Sequence, residues 1–471
     1  MNSPLITDTI VAPATLPGTG AISIIRVSGA DCFSFVDSVI QLKSGTISDS
    51  KAYTIHFGEA PGLDEVLVSV FRAPHSYTGE DSVEISCHAS RFIVEELIRR
   101  LLAAGCRMAG PGEFTRRAFL NGKMDLAQAE AVADIISATT AASHRVAYKQ
   151  LRGGFSAELS ALRDELVEMT SLLELELDFS EEEVEFADRE RLLSLIDRTT
   201  THVVRLAGSF RDGNAIRSGV PVAIVGAPNV GKSTLLNALV GEDRALVSDI
   251  AGTTRDTVEE VINLDGILFR FIDTAGIRET TETVEKLGIE RTFRKLSEAE
   301  IVIGMLDGTW EESVLLEQLE RIASKVDFDQ QKLILVLNKT DLRAPEDVNK
   351  NVSITNNFVF RAEIDSITIA LSAKGASGLS ELRATLTALK SNLITDEDST
   401  FVTNVRHYDA LRQTASALSS ARRALSTGTP TELVAEDIRL AISSLNTILG
   451  QSLIDPETVL HNIFKRHCIG K

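Results

Sequence analysis

Residues 226–233, Gly-Ala-Pro-Asn-Val-Gly-Lys-Ser, have the residue types and spacing of a loop that binds phosphate groups. Two glycines bracket four residues, which lets backbone N–H groups turn toward a polyphosphate. Lys232 would reach the outer phosphates, and the Ser233 hydroxyl would bind Mg²⁺. An apolar run at 222–225 precedes the loop, and a helical pattern from Thr234 follows it. Because a helix N-terminus carries partial positive charge, this order predicts a nucleotide site rather than a chance glycine turn.

Four further motifs follow in strand contexts. Residues 251–256, Ala-Gly-Thr-Thr-Arg-Asp, offer a threonine as a second Mg²⁺ ligand. Residues 273–276, Asp-Thr-Ala-Gly, offer a carboxylate that can hold Mg²⁺ through water and a glycine N–H for the γ-phosphate. In 338–341, Asn-Lys-Thr-Asp, the Asp341 carboxylate can accept two hydrogen bonds from guanine, which adenine cannot supply. In 372–374, Ser-Ala-Lys, a backbone N–H can meet guanine O6. Open α/β sheets bind ligands where strands end, so the five motifs predict a GTP-binding domain related to those of translation factors.

Ile277 occupies the position after Asp-x-x-Gly, where Ras-type GTPases place a Gln that orients the attacking water. An isoleucine side chain has no polar group for this task. Hydrolysis must therefore recruit its water elsewhere, and the candidates in sequence are Arg278, Glu279, Glu282 and Glu285. An Arg finger or a bound cation could supply the missing positive charge.

The 471 residues exceed one ordinary core, so two or three domains are expected. Hydrophobic residues at 44% and charged residues at 24% are typical of a soluble globular protein. No apolar run approaches a membrane span and no secretory signal is visible, so no membrane association is expected. The scattered cysteines (Cys32, Cys87, Cys106 and Cys468) form no disulfide or zinc pattern and fit a reducing cytoplasm. A net charge of −19 argues against a generally basic nucleic-acid surface, but allows a local basic groove.

The first 120 residues have a mixed α/β pattern. Strands are predicted at 21–27, 66–71 and 82–86, and a helix over 92–102 should stop at Gly105.

From about residue 122 the pattern becomes helical. Asp125 and Gln128 predict a helix start with reciprocal caps. A long helical stretch over 141–206 contains an acidic run at 174–190, which is typical of a solvated face or loop more than of a metal site.

Residues 220–390 alternate apolar strands with helical segments, which indicates a largely parallel sheet with helices on both faces. The predicted strands lie near 222–225, 267–272, 301–306, 333–337 and 367–371. After residue 392 the chain is helical again. Both helical stretches are amphipathic, so the simplest arrangement packs them together and leaves the α/β block as an insertion.

With these motifs in place, the chain resembles the MnmE (TrmE) family of tRNA-modification GTPases over essentially its whole length. Besides the GTPase motifs, the resemblance is carried by residues 8–12, 77–81, 111–115, 121–130 and 468–471. The final Cys-Ile-Gly-Lys, combined with an internal GTPase block, is highly specific.

The resemblance implies an α/β plus all-α fold in three parts. Residues 1–121 would form an N-terminal α/β domain that is similar to tetrahydrofolate-binding enzymes and that forms a homodimer. Residues 122–215 and 393–471 would form a helical domain, with a Ras-like P-loop GTPase domain inserted at 216–392.

The resemblance also implies an activity. With a flavoprotein partner that carries FAD (MnmG, or GidA), the family installs an aminomethyl or carboxymethylaminomethyl group at C5 of the wobble uridine of certain tRNAs. GTP is hydrolysed to GDP and phosphate, and a 5-formyl- or methylene-tetrahydrofolate carries the one-carbon unit. The GTPase domains of two subunits meet face to face when K⁺ and the transition state are present.

Individual residues of the nucleotide site take their roles from the resemblance. Lys232 and Glu285 would be catalytic, with Glu285 orienting the attacking water through a second water; without the resemblance, Glu285 would be taken for a solvated surface residue. Ser233 and Thr254 would bind Mg²⁺. The K⁺ ligands, in place of an Arg finger, would be Asn229, Ser248, Ile250 and Thr253. The residues that contact GTP would be Asn229, Val230, Gly231, Lys232, Ser233, Thr234, Ser248, Asp249, Ile250, Ala251, Gly252, Thr253, Thr254, Asp273, Thr274, Ala275, Gly276, Asn338, Lys339, Asp341, Ser372, Ala373 and Lys374.

The folate contacts of the family fall on Arg26, Glu84, Lys123 and Lys471. Arg and Lys suit a glutamyl carboxylate, and a carboxylate suits the amine edge of a pterin. The alternative for Arg26 and Glu84 is an ion pair at a strand edge. Cys468 resembles a family cysteine that matters for tRNA modification, although a lone cysteine is more often a small buried hydrophobe.

Two other functions compete with this interpretation. A ribosome-assembly GTPase switch of the Era or EngA kind would share the nucleotide motifs. It would lack a folate-type N-terminal domain and would normally carry a basic RNA-binding module. A structural protein with a vestigial site is disfavoured because all five motifs are intact. The net negative charge and the final Cys-Ile-Gly-Lys favour a tRNA-modification GTPase over both alternatives.

Overall fold

The computed structural model describes residues 8–18, 20–178, 189–243, 260–272, 296–391, 393, 400–427, 429–451 and 470. The chain divides into two compact units. The first unit contains residues 1–137, 147–204 and 409–471, and the second contains residues 138–146 and 205–408. The domain ranges 1–121, 122–215, 216–392 and 393–471 remain predictions.

The first unit contains a seven-stranded sheet with the order β3-β4-β5-β6-β2-β1-β7. Its strands are β1 (Ile10–Pro13), β2 (Ile22–Ser28), β3 (Gln41–Leu42), β4 (Thr54–Ala60), β5 (Asp64–Phe71), β6 (Ser82–His88) and β7 (Arg107–Met108). All neighbours are antiparallel except β1 and β7, which run parallel. The three predicted strands are confirmed as β2, β5 and β6. The others were not predicted because β3 and β7 have only two residues each and β1 and β4 lack a clean apolar alternation.

Three helices accompany this sheet: α1 (Cys32–Asp37), α2 (Arg91–Ala104) and α3 (Glu113–Leu120). The helix predicted over 92–102 is confirmed as α2, and it ends as expected at Gly105, whose φ is 124°. Val68, Ile85 and Leu97 are fully buried in the core between sheet and helices.

The helical stretches contain α4 (Leu126–Ser137), α5 (Ala141–Leu151), α6 (Gly154–Asp178), α7 (Arg189–Gly208), α8 (Phe210–Ser218), α13 (Val405–Ser426) and α14 (Thr431–Leu449). The reciprocal cap is confirmed: Gln128 N–H donates to Asp125 Oδ1, and Asp125 N–H donates to Gln128 Oε1, both at 2.9 Å. The helical stretch predicted over 141–206 is confirmed in its described part, where it consists of α5, α6 and α7. Gly153, with φ +81°, lies between the end of α5 and the start of α6. Helix α6 packs against α14, so the two helical stretches contact each other as expected.

The second unit contains a six-stranded sheet with the order β13-β12-β11-β8-β10-β9. Its strands are β8 (Val220–Gly226), β9 (Glu260–Leu264), β10 (Ile267–Ile272), β11 (Ile301–Asp307), β12 (Lys332–Asn338) and β13 (Ser366–Ala370). All pairs are parallel except β9 with β10. The five predicted strands are confirmed. Strand β9 was missed, although Asp265-Gly266, both with positive φ, is a strong hairpin signal.

In the described part of the second unit, strands of this sheet are followed by the helices α9 (Lys232–Asp243), α10 (Glu312–Ala323), α11 (Pro345–Arg361) and α12 (Leu379–Leu389). Every residue of β11 is buried, as expected for a strand that is covered on both faces. Phe269 and Ile303 lie in the core on one face of the sheet, and Val302 and Leu335 lie in the core on the other.

The larger segment of the second unit, residues 205–408, begins and ends at adjoining backbone. Val402 N–H donates to Ser209 Oγ at 3.0 Å. A Cβ on Gly213 would lie only 2.3 Å from the Val402 carbonyl oxygen, so a larger residue does not fit there. The rings of Phe210 and Tyr408 stack with centroids 4.6 Å apart.

Among the helices that the structure describes, none combines the length and apolar character needed to cross a membrane.

Candidate nucleotide-binding site

The loop between β8 and α9 has a backbone that only small residues permit at two points. Gly226 has φ +153° and Gly231 has φ +101°. A Cβ on Gly226 would lie 2.4 Å from Met305 O, and one on Gly231 would lie 2.3 Å from Asn338 Nδ2. Asn229 is also left-handed, with φ +61°, which is uncommon for a residue other than glycine. The two glycines of the phosphate-loop pattern are therefore required by the close approach of the β11 backbone to Gly226 and of the Asn338 side chain to Gly231.

Lys232 is the first residue of α9. Its ammonium group donates to Gly226 O at 2.8 Å and to Ala227 O at 2.9 Å. Burial lowers the pKa of Lys232, because the charged form loses part of its hydration. Ser233 and Thr234 continue the first turn of the helix, whose N–H groups face the loop. The loop thus concentrates positive charge where an anion would bind.

Asn338, at the end of β12, joins three of the predicted motifs. Its Nδ2 donates to Val230 O in the phosphate loop at 2.7 Å. Its Oδ1 accepts from the Ala373 N–H at 2.9 Å. The residue is only 3% exposed, so both polar ends of a buried amide are satisfied. The amide fixes the loop that would hold phosphates relative to the loops that would hold the base.

Asp341 lies on a short 3₁₀ helix, Thr340–Leu342, and is exposed. Ser372 Oγ donates to Asp341 Oδ1 at 2.6 Å, and the Gly375 N–H donates to Ser372 Oγ at 3.1 Å. These bonds orient the carboxylate. Lys374 follows on the same loop and is exposed.

The remaining predicted nucleotide and catalytic residues lie outside the described part of the chain. They are Ser248, Asp249, Ile250, Ala251, Gly252, Thr253, Thr254, Asp273, Thr274, Ala275, Gly276 and Glu285. Ile277, Cys468 and Lys471 also lie outside it.

Arg26 and Glu84 face each other directly across β2 and β6. The Arg26 guanidinium donates to Glu84 Oε1 at 3.0 Å from Nε and at 2.8 Å from Nη2. Its carbon lies 5.3 Å from the ring centroid of Tyr77 and 5.6 Å from that of Phe114. Nη1 also donates to Gly470 O at 3.3 Å, so residue 470 lies beside the pair. The predicted ion pair therefore exists, and it is set among aromatic rings.

Lys123 is the third of the four predicted folate contacts. Its ammonium group donates to Pro74 O at 2.9 Å. A Cβ on Gly79 would lie 3.2 Å from Lys123 Cγ, so the lysine stem runs beside the Gly79 backbone.

Arg117 is a central residue of the N-terminal domain that the sequence patterns did not single out. It is 1% exposed and binds Asp8 Oδ1 at 2.7 Å, Glu113 Oε1 at 3.0 Å and Glu80 Oε1 at 3.2 Å. Burial acts to raise the pKa of Glu113, but hydrogen bonds from Arg107, the Gly110 N–H and Arg117 hold it below its usual range. One arginine thus joins the segments 8–12, 77–81 and 111–115. No pattern in the sequence indicates that an arginine in a helix will be buried and will join distant segments in this way.

The described cysteines are buried free thiols: Cys32, Cys87 and Cys106. Burial raises the pKa of Cys87 and of Cys106 to about 11, so both stay protonated at neutral pH. Within the described ranges, no group of three or more His, Cys, Asp or Glu side chains could hold a metal ion.

Two protein-family models match the chain. "GTP-binding protein TrmE N-terminus" matches residues 9–123, and "MnmE helical domain" matches residues 126–468. The tRNA modification GTPase MnmE of Bacteroides fragilis is 50% identical over 470 residues, covering 98% of this chain and 99% of that protein. The tRNA modification GTPase MnmE of Flavobacterium johnsoniae is 47% identical over 472 residues, covering 98% and 99%.

Solved structures give a weaker likeness. A GTP-binding protein of Sulfolobus solfataricus in complex with GDP is 20% identical, with a TM-score of 0.28, covering 49% of this chain and 67% of that one. Era of Aquifex aeolicus bound to GDP and aluminium fluoride is 29% identical, with a TM-score of 0.27, covering 42% and 66%. The chain is therefore much more similar to the two family models and the full-length relatives than to these structures.

Proposed function

Because this chain belongs to the MnmE (TrmE) family of tRNA modification GTPases, we propose that it is a K⁺-activated GTPase that acts with a flavoprotein on the wobble uridine of tRNA. The observation that carries the GTPase part is the buried Asn338 amide, which bonds to both the phosphate loop and the Ser-Ala-Lys loop. The relatives match over nearly their whole length and are named tRNA modification GTPases, so the ribosome-assembly alternative is set aside.

The chain's own groups account for recognition of GTP. Asp341, oriented by Ser372, accepts hydrogen bonds from the N1 and N2 edge of guanine. The Ala373 N–H is donated to Asn338, so we assign the contact with guanine O6 to the Lys374 N–H. Lys232 exchanges its two loop carbonyls for the outer phosphates, which are stronger acceptors because they are charged.

We propose that this site holds two metal ions. Ser233, in the first turn of α9, and Thr254 would hold Mg²⁺, which neutralises charge on the β- and γ-phosphates. Asn229, whose left-handed backbone lies in the middle of the phosphate loop, would hold K⁺ with Ser248, Ile250 and Thr253. K⁺ supplies the positive charge of the absent Arg finger. Glu285 orients the attacking water through a second water, since Ile277 cannot.

Exchanging Na⁺ for K⁺ should raise GTP turnover by about 100-fold, the scale of one lost charge stabiliser in a transition state. Glu285→Ala should bind GTP normally but stay slow in both salts, because its water is no longer oriented. Phosphate release measured for both proteins in both salts checks this, with Glu298→Ala as the matched control, since Glu298 is an acid farther along the chain that no predicted motif contains. Equal wild-type rates in Na⁺ and K⁺ would remove the cation from the mechanism, and normal turnover of Glu285→Ala would remove Glu285.

We also propose that the N-terminal α/β domain forms a homodimer and binds a tetrahydrofolate derivative. The support is a charged pair, Arg26 and Glu84, that stays partly exposed among aromatic rings, with side chains 16% and 25% accessible. Such a pair can receive a carboxylate and a pterin amine edge at once. Lys123 and Lys471 would add positive charge, and the folate would carry the one-carbon unit. Cys468, close in sequence to Gly470, would take part in the modification chemistry.

Nucleoside analysis of tRNA is the experiment that tests this function. A strain that lacks the chain should contain wobble uridines without the aminomethyl or carboxymethylaminomethyl group. The wild-type gene should restore the group, while Arg26→Met should not, because it removes the charge and keeps the length of the side chain. Arg91→Met, on an exposed arginine of α2, is the matched control and should restore it. Unchanged nucleosides in the deletion strain would refute the proposed function, and full restoration by Arg26→Met would refute the folate site alone.

A further inference from the structure

Asp307 ends β11 beside the end of β12, where it pairs in register with Asn338. Its carboxylate is almost completely buried, with a side-chain exposure of 9%. The sequence motifs of the nucleotide site do not include this residue. A buried carboxylate at the carboxyl edge of a parallel sheet, where ligands bind, calls for a physical reason.

Both oxygens of this carboxylate are engaged. Lys339 Nζ donates to Asp307 Oδ2 at 2.6 Å. The Thr309 N–H and hydroxyl donate to Asp307 Oδ1 at 2.9 and 2.7 Å. Burial acts to raise the pKa of Asp307, but the bonds from Lys339 and Thr309 hold it below its usual value. The carboxylate is therefore charged at neutral pH and holds the lysine ammonium in one place.

The ion pair is not needed to join the two strands. Strands β11 and β12 are already paired from Ile301 with Lys332 to Asp307 with Asn338. Beyond the strand ends, the Gly308 N–H donates to Asn338 O at 2.7 Å. The pair adds something else: it fixes the direction of the Lys339 side chain.

The direction of the Lys339 side chain matters because this residue adjoins the turn that carries Asp341. It has φ +64° and directly precedes the 3₁₀ turn that carries Asp341. The Leu342 N–H donates to Lys339 O at 3.1 Å and closes that turn. With its backbone set by the turn and its ammonium set by Asp307, the four-carbon stem between them has little freedom. Lysine stems readily cover apolar surface, and the face of a purine ring is such a surface.

We propose that Asp307 is a positioning residue for the guanine base, because it holds Lys339 so that the lysine stem covers one face of the base beside Asp341. This role depends on the proposed binding of GTP at this site. The charges of Asp307 and Lys339 neutralise each other, so the pair stabilises the base and not the phosphates. The pair should therefore increase the affinities for GDP and GTP by the same factor, and it should not change the rate at which bound GTP is hydrolysed.

Asp307→Asn keeps an oxygen for Thr309 but removes the charge that holds Lys339. Its dissociation constants for GDP and for GTP should both rise about 10-fold to 100-fold, the scale of one hydrogen bond between charged groups. KM for GTP should rise in step, while kcat at saturating GTP should change less than about twofold. Titration with fluorescent guanine nucleotides and steady-state kinetics measure both effects.

Asp365→Asn is the matched control. Lys332 is the first residue of β12, and Asp365 directly precedes β13, the next strand of the same sheet. Lys332 Nζ lies 2.5 Å from Asp365 Oδ2, so the two residues form an ion pair of similar length at the opposite end of β12. Its nucleotide affinities should stay at the wild-type values. Equal weakening by both variants would overturn the proposal, since it would show a general effect on the sheet.

Lys339→Met keeps an apolar stem and removes the ammonium, so it should weaken binding as Asp307→Asn does. The double variant should be no weaker than either single one, since both remove the same interaction. If Asp307→Asn does not fold, Asp307→Glu replaces it; that variant keeps the charge, and its affinity should stay above that of Lys339→Met. Wild-type affinity in Asp307→Asn, or additive losses in the double variant, would overturn the role of Asp307. A wild-type protein that binds neither nucleotide would instead overturn the proposed function.

Discussion

Asp341→Asn is expected to convert a protein that prefers GTP into one that prefers xanthosine triphosphate. Guanine presents an N–H and an amino group to the Asp341 carboxylate, whereas xanthine presents a carbonyl oxygen in place of the amino group. The hydrogen bond from Ser372 Oγ to Asp341 Oδ1 decides the geometry of the variant. An asparagine oxygen can accept the same bond, so its Nδ2 takes the place of Oδ2 and offers a donor to the base.

The ratio of the two affinities should change on the order of 10⁴-fold, because a site built for a hydrogen bond strongly rejects a base that leaves its polar group unpaired. Competition of GTP and xanthosine triphosphate against a fluorescent nucleotide measures this ratio. Ser372→Ala in the same background should reduce the switch, since the amide is then free to rotate. A persistent preference for GTP in Asp341→Asn would contradict the role of Asp341 in reading the base.

Lys232→Met should lower kcat/KM for GTP hydrolysis on the order of 10³-fold, the cost of removing one charged group that stabilises the transferring phosphate. Methionine has about the length of the lysine stem, so the packing of α9 should persist. Among the described residues, the Lys232 ammonium bonds to Gly226 O and Ala227 O alone, and its burial already disfavours the charged form. The thermal midpoint without nucleotide should therefore change little, while the nucleotide-dependent increase in that midpoint should be lost.

Thermal unfolding with and without GDP, together with phosphate release, checks both halves of this prediction. Lys350→Met, at an exposed position of α11, is the control and should behave as the wild type does. Retained turnover in Lys232→Met would exclude the lysine from the phosphate site.

The parts of this fold that depend on local pattern could be predicted from the sequence. The apolar runs within strands β11 and β12, the reciprocal caps of Asp125 and Gln128, and the stop at Gly105 each follow from a few neighbouring residues. The helical stretch predicted over 141–206 is divided at Gly153 into α5 and α6, because a single left-handed glycine interrupts the helical backbone despite the helical periodicity on either side.

The nucleotide site was predictable as a set of loops but not as a set of bonds. Glycine spacing indicates that a backbone must come close to something, but only the fold shows that the neighbour of Gly231 is the Asn338 amide. The same limit applies to charged residues. Arg117 and Asp307 look like ordinary surface residues in sequence, and their burial results from partners that are distant along the chain or on a neighbouring strand. Periodicity contains no information about such partners.

The contacts of Ser209 and Gly213 with Val402 have a consequence for protein engineering. Since residues 205–408 of the GTP-binding unit begin and end at adjoining backbone, this segment can be exchanged as one insert with few added linker residues. The same contacts restrict such an exchange at one position, because the Val402 carbonyl leaves no room for a side chain on Gly213. Any chimeric protein built by exchanging this segment must therefore keep a glycine at position 213, close to the boundary of the exchanged residues.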